Sequence, residues 1–282
     1  MKLKEIYANK ENFKISFEVF PPKETDKYKN LYSELENLKK YNPAFISLTW
    51  GAGGNNNNSV NLIKTFKNMD FEIMPHFTCV SSSKKFVGEH LAKLKELNIE
   101  NILALRGDLP EDISKRCTDF NYANELVEYI KHNSDLSIGV AGYPEGHIEA
   151  ENLEADIKNL KRKVNAGADV IFTQLFFDNN IFYKYLEKLD KENITIPIVP
   201  GIMPILSKKQ IDRMTSLAKI TIPNKLKNCI EKYGESNSDM QKFGVEFGYT
   251  QCEDLIKNGI KGLHFYTLNK SKSVNEILKN II

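Results

Sequence analysis

The chain has 282 residues, 41% of them hydrophobic and 27% charged, with a formal net charge of +2. This balance fits a soluble globular protein with a sizeable core, and it excludes a polyanion such as nucleic acid as the expected main partner. No apolar run approaches the ~20 residues that span a bilayer, and the basic N-terminus MKLKEIYANKENFKISFEVF lacks the apolar stretch of a signal peptide. The four cysteines, Cys79, Cys117, Cys229 and Cys252, are scattered without a CxxC pair. Free thiols in a reducing cytoplasm are the expectation, with neither a disulfide framework nor a zinc site.

Short runs rich in β-branched and aromatic residues alternate with stretches of helical periodicity. In chain order, strand Phe13–Phe20 precedes helix Asp26–Lys40, and strands Phe45–Trp50 and Glu72–Cys79 precede helix Lys84–Leu97. Strand Asn101–Arg106 is followed by helix Tyr122–His132, and strand Leu136–Gly142 by helix Glu151–Ala166. Strand Asp169–Gln174 leads into helix Asn179–Lys191, and strands Ile196–Gly201 and Gly262–Thr267 complete the set. Within Glu151–Ala166, Leu153, Ile157, Leu160 and Val164 form one apolar stripe at helical spacing. Repeated strand–helix units imply parallel strands joined by crossover helices. Roughly eight such units favour a (β/α)8 TIM barrel over an open doubly wound sheet, read as one α/β domain over residues 1–282. Two segments break the pattern. Gly51–Asn58 reads as a flexible loop, and Ala218–Phe247 reads as extra helices before the eighth strand, beginning near Pro223.

A barrel does its chemistry at the C-terminal ends of its strands. Polar residues fall there in almost every strand: Glu18, Thr49, His76, then Arg106-Gly107-Asp108, Tyr143-Pro144-Glu145 and Thr173-Gln174. Each has a plain alternative. Glu18 could be a paired structural carboxylate, Arg106 and Asp108 a rim ion pair, and His76 a hydrogen-bonded core histidine. His90 and His132, on helices, read as exposed. GAGGNN fails the dinucleotide fingerprint because Asn56 stands where the last glycine is required, and the P-loop, HExxH and GxSxG patterns are absent. Five scattered histidines make a thin case for a metal hydrolase.

The segments ISFEVFPPK, FISLTWGAGG, PHFTC, NILALRGDLP, AGYPEGHIEA, LKRKVNAGAD, FTQLFFD, IVPGIMPI and GLHFYTLN together resemble the methylenetetrahydrofolate reductase family, in order and over nearly the whole chain. The resemblance implies a barrel that binds FAD non-covalently. It implies that NADH or NADPH reduces the flavin and leaves, and that 5,10-methylenetetrahydrofolate then takes the hydride. It also implies a catalytic barrel of the bacterial type, not inhibited by S-adenosylmethionine, working as an assembly of identical chains and serving methionine synthesis. Carried over by motif, the flavin residues are Thr49, Trp50, Ala52, His76, Arg106, Gly107, Asp108, Ala123, Tyr143, His147 and Ala150. Asp156, Asn159, Arg162 and Lys163 follow from the next helix, where spacings of three and four give Asp156, Asn159 and Lys163 a common face. Arg162 and Lys163 would supply the positive charge that a pyrophosphate needs; without the resemblance, a solvated basic face is the commoner case.

For the folate, the resemblance nominates Glu18, Asp108, Gln174, Gln210 and Lys270. Lys270 stands where similar bacterial enzymes carry Arg, so a bidentate grip on the glutamate tail is lost. Met214 occupies a position often aromatic, and Ser59 replaces a usual Thr. In this reading Glu18 is the general acid that opens the substrate ring to an iminium cation, with a pKa raised by burial among Phe17, Val19 and Phe20. Asp108 stays ionised beside the developing cation, and Gln174 orients the pterin. The rival readings are a cofactor-free barrel lyase, a metal hydrolase, and a non-catalytic flavin- or folate-binding barrel.

Overall fold

The structure is a computed structural model that describes residues 1–8, 12–49, 56–109, 112, 117 and 119–282. Helix α1 (Leu3–Ala8) precedes strand β1 (Lys14–Val19), helix α2 (Tyr28–Lys39) and strand β2 (Phe45–Leu48). Helix α3 (Asn56–Asn68), strand β3 (Ile73–Thr78), helix α4 (Lys84–Glu96) and strand β4 (Asn101–Leu105) continue the alternation. It runs on through helix α5 (Ala123–Asn133), strand β5 (Ser137–Gly142), helix α6 (Leu153–Asn165), strand β6 (Val170–Thr173) and helix α7 (Asn179–Lys191). Two short strands follow, β7 (Ile198–Val199) and β8 (Gly201–Ile202). Helices α8 (Lys208–Leu217), α9 (Asn224–Tyr233) and α10 (Asn237–Lys257) lead to strand β9 (Gly262–Tyr266) and helix α11 (Lys272–Leu278).

All strand pairs are parallel, in the order β7-β6-β5-β4-β3-β2-β1-β9-β8. The expected seventh strand is split at Pro200, which has no N–H to give a ladder. Its first half, β7, pairs with β6, and its second, β8, pairs with β9. The Pro200 carbonyl still accepts from His264 N at 3.0 Å. The broken strand therefore hands the ladder from one side to the other and closes the (β/α)8 barrel. Gly201 is needed at the break: a Cβ there would lie 2.3 Å from the Thr173 carbonyl oxygen and 2.7 Å from the Tyr266 hydroxyl.

β2 and β6 are buried at every position, as strands covered on both faces must be. The main core fills the space between strands and helices, with Phe17, Ile46, Phe77, Ile138 and Phe265 among its members. A smaller cluster of Phe45, Met74, Leu103, Val170, Phe172 and Val199 is joined by Leu3 and Ile6 of α1. That helix is pinned by Asn101, whose Oδ1 accepts from Leu3 N at 2.7 Å while its Nδ2 donates to the Met1 carbonyl at 3.0 Å. A third cluster, including Ile205, Ile211, Leu226 and Met240, lies among α8, α9 and α10.

Three expectations are corrected, and one helix is added. Most strands end one or two residues earlier than read, but β5 ends at Gly142 as read and the split seventh strand runs on to Ile202. Of the expected Gly51–Asn58 loop, residues 51–55 lie outside the described residues, and Asn56–Asn58 already belong to α3. The amphipathic pattern did not announce α1. His90 is 3% exposed, not solvated, because it packs on the Phe77 ring with centroids 4.8 Å apart; His132 is exposed as read.

Candidate active site

Glu18 lies near the C-terminal end of β1 with its side chain 21% exposed. Its Oε2 is 3.4 Å from His76 Nε2 on β3 and 3.6 Å from His264 Nε2 on β9. Each imidazole is tied to a serine: Ser47 Oγ lies 2.6 Å from His76 Nε2, and Ser16 Oγ lies 2.8 Å from His264 Nδ1. The parallel registers place Ser16 opposite His264 and Glu18 opposite Ser47, so neighbouring strands bring all five side chains together. Withdrawal from water pushes the His76 pKa down to about 4, which keeps the ring neutral near pH 7. Burial would raise the Glu18 carboxyl, but the His264 ring directed at it and the nearness of His76 outweigh burial, and it is held below the usual carboxylate range. The raised value expected from burial alone is therefore corrected: the sequence did not show that His76 and His264 meet Glu18.

A cleft of about 800 Å³, open solvent included, runs between the ends of β4 and β5 and the helices α5 and α6. Arg106, Ala123, Tyr143, His147, Ala150, Asp156, Asn159, Arg162 and Lys163 line it, all of them nominated from sequence. Their convergence follows from α6, which is capped by Asn152 Oδ1 accepting from Ala155 N at 2.8 Å. Ile157 and Leu160 bury one stripe of this helix against the barrel. The neighbouring stripe then faces the cleft. Asp156 is buried, and burial raises its carboxyl even though Lys163 and His147 oppose the rise. Lys163 turns inward, its Nζ donating to the Ala141 carbonyl at 2.5 Å and lying 5.9 Å from the Tyr143 ring centre. Desolvation lowers its pKa to about 8, against the pull of Asp156. A solvated basic face therefore does not describe this helix: Arg162 is exposed, Lys163 is not. Burial likewise pushes the Tyr143 hydroxyl up to about 12 and the His147 ring down.

The rim ion pair between Arg106 and Asp108, weighed as the plain alternative, is not what forms. Arg106 Nη1 and Nη2 both bond to the carboxylate of Glu149, a residue that sequence reasoning passed over although it lies in the AGYPEGHIEA segment. The bond to Arg106 is the main cause holding the Glu149 carboxyl low. Gly107 has φ +83°, and a Cβ on it would sit 2.8 Å from Thr78 Cβ. Only glycine fits both conditions. Asp108 is exposed and lines a second cleft of about 600 Å³ with Gln174 and Tyr143. Gln174 folds back, its Oε1 accepting from Leu175 N at 2.9 Å, so only its amide donors are unused by that contact. Thr49 directly follows β2, its N–H donating to the Val19 carbonyl at 3.0 Å.

The remaining nominees stand apart. Gln210 uses both ends of its amide locally, accepting from Leu206 N at 2.6 Å and donating to the Pro204 carbonyl at 2.9 Å. Lys270 is exposed beyond β9. Met214 packs against the third core cluster, and Ser59 is buried. Trp50 and Ala52 lie outside the described residues. Among the described residues there is no group of three or more His, Cys, Asp or Glu placed to hold a metal ion, and no helix long and apolar enough to cross a membrane. The sequence signal for His264 was present in HFYTLN, but its partner Ser16 is 248 positions away.

The chain is similar to several known proteins. The chain is 35% identical to the 5,10-methylenetetrahydrofolate reductase of Pectobacterium carotovorum, over 92% of this chain and 86% of that one. It is 37% identical to the enzyme of the same name from Buchnera aphidicola (strain Bp), over 96% and 92%. Against methylenetetrahydrofolate reductase (NADH) 1 of Zea mays it is 38% identical over 94% of its own length, but it spans about half, 48%, of that protein. A solved Clostridium thermocellum protein, described as binding two copies of 5-methyl-5,6,7,8-tetrahydrofolic acid, superposes with a TM-score of 0.70 over 99% of both chains at 14% identity, which speaks for the fold alone. The sequence profile of methylenetetrahydrofolate reductase matches residues 2–282, and the chain belongs to that family.

Proposed function

We propose that residues 1–282 act as a single catalytic domain that reduces 5,10-methylenetetrahydrofolate to 5-methyltetrahydrofolate, with FAD as bound cofactor and NADH or NADPH as electron donor. The observation that carries this reading is Glu18, a carboxyl near the C-terminal end of β1 held against His76 and His264, in a barrel whose strand ends also line two clefts that share Tyr143, His147 and Glu149. The donor set of the larger cleft suits a flavin dinucleotide. Lys163, Arg162 and Asn159 would hold the pyrophosphate, and Ala104, Leu105 and Ala123 offer apolar contact. When bound, the flavin supplies the hydride.

The chain's own residues do the rest. Glu18 gives a proton to the leaving nitrogen of the folate ring, so that the ring opens to an iminium able to accept hydride. Its carboxyl favours the ionised form while the mouth is open; a ligand covering the mouth excludes water and strengthens the effect of burial, which favours the neutral acid. Asp108 opposes the developing cation with a negative charge. Gln174 turns its amide donors to the pterin, and to the nicotinamide amide in the other half-reaction. Because both substrates use one face, the order is ping-pong. The reaction would serve methionine synthesis in the cytoplasm, in an assembly of identical chains.

The test is anaerobic mixing of purified protein with NADH and separately with NADPH, following the flavin absorbance, and then addition of methylenetetrahydrofolate. Bleaching by a nicotinamide and recovery of colour on adding the folate are expected. Protein that is colourless and does not take up FAD overturns the reading.

A further inference from the structure

His264 is 1% exposed, and its Nε2 is the one polar atom of the ring without a hydrogen-bond partner. A buried ring nitrogen left in this state is costly unless it serves a partner that approaches it in another state. The polar group that Nε2 faces is Glu18, whose Oε2 is 3.6 Å away. The ring cannot readily turn elsewhere. Phe45 stacks on it at 6.1 Å, Phe172 tilts against it at 5.2 Å, and Tyr266 meets it edge-on at 5.4 Å between centroids. At the far side Ser16 Oγ lies 2.8 Å from Nδ1. A serine hydroxyl that donates to Nδ1 leaves the proton of a neutral imidazole on Nε2, aimed at the carboxylate.

We propose that His264, clamped by Ser16, is a positioning residue for Glu18: it orients the carboxyl in the barrel mouth and sets how firmly the carboxyl holds its proton. The inference rests on the reading of Glu18 as the acid of the folate half-reaction. The ionisable groups facing Glu18 are His76 from β3 and His264 and Tyr266 from β9. His76 shares its Nε2 between Ser47 and Glu18, whereas His264 directs Nε2 to Glu18 alone. Removing His264 therefore takes away the strongest of the influences that oppose burial, with His76 still in place, and moves the balance towards the protonated form.

The test needs a readout that a purely structural role would not move. The infrared carboxyl band that disappears in Glu18→Gln is followed through a pH titration of wild type, His264→Leu, His264→Gln and Ser16→Ala. In His264→Leu the Glu18 midpoint should rise by about one pH unit or more, the size typical of losing a direct partner. His264→Gln restores a donor near the Nε2 position and should recover roughly half of that rise. Ser16→Ala, the mildest change, should move the midpoint the same way by about half a unit, and it decides the matter if His264→Leu does not fold. In stopped-flow work the alkaline limb of the folate half-reaction should move upward with the infrared midpoint, while the limb of flavin reduction does not follow it. A Glu18 midpoint unmoved in Ser16→Ala and in either foldable His264 variant overturns the proposal, whatever the rates. If wild type shows no reoxidation by methylenetetrahydrofolate, the proposed function fails instead, and the infrared result still judges the Glu18–His264 contact.

Discussion

The guanidinium of Arg106 forks onto the carboxylate of Glu149, with Nη2 2.7 Å from Oε1 and Nη1 bonded to Oε2. The same Arg106 anchors its own loop through Nε, which donates to the Gly107 carbonyl at 3.1 Å. Three of its donors are thus aligned at the edge of the larger cleft before any ligand arrives. Lysine carries the charge but not the planar fork. Arg106→Lys should therefore weaken FAD retention by roughly tenfold or more, read by the fluorescence of released flavin on dilution. Glu149 is half-exposed, so the pair itself contributes about 1 kcal/mol or less to stability, and the thermal midpoint should hardly change. A large loss of stability with FAD retained would mean that the pair is structural.

Glu18→Gln keeps the shape of the side chain and removes its proton. Flavin reduction by the nicotinamide should be nearly normal, while reoxidation by methylenetetrahydrofolate slows by roughly 10²–10⁴-fold, the usual range for general-acid catalysis. Single-turnover mixing separates the two halves. Equal loss in both would make Glu18 a structural carboxylate.

Gly107→Ala should destabilise the fold by about 1–3 kcal/mol, because both the positive φ and the 2.8 Å approach to Thr78 Cβ oppose a side chain. The contact is to Cβ, so Thr78→Ala should not rescue it. Denaturant midpoints of the single and double variants check both statements.

His76 and His90 are both held near pKa 4 by burial. In the unfolded chain each titrates near ~6.5. Above that pH both states carry neutral rings and nothing is lost. As pH falls from 6.5 towards 4, the unfolded chain takes up protons that the fold refuses, so stability drops, by at most about 3 kcal/mol per ring. Glu18 acts in the same direction lower down: its carboxyl, held below the usual range, adds stability above the unfolded carboxylate pKa of ~4.5 that is lost as pH falls through the folded value. His90→Leu keeps the contact with Phe77 and removes one titrating group. The loss of stability between pH 7 and pH 5 should then shrink by about 1–2 kcal/mol in urea titrations. An unchanged loss would show that His90 is not among its causes.

The sequence by itself determined the repeat. Alternating strand and helix patterns, apolar runs buried on both faces and polar residues at strand ends lead to a closed parallel barrel with a working rim, because these signals are local and periodic. The same locality explains why the spacing of Asp156, Asn159 and Lys163 was readable as one helix face. Only the tertiary structure decided what lies across from what. Ser16 meets His264 and Arg106 meets Glu149 because strand register and loop path bring together residues that no periodicity links. It also decided the charge state of Glu18. Burial is legible in the flanking apolar residues, but the opposing imidazoles arrive from β3 and β9, and the balance between desolvation and such neighbours exists only once the barrel has closed.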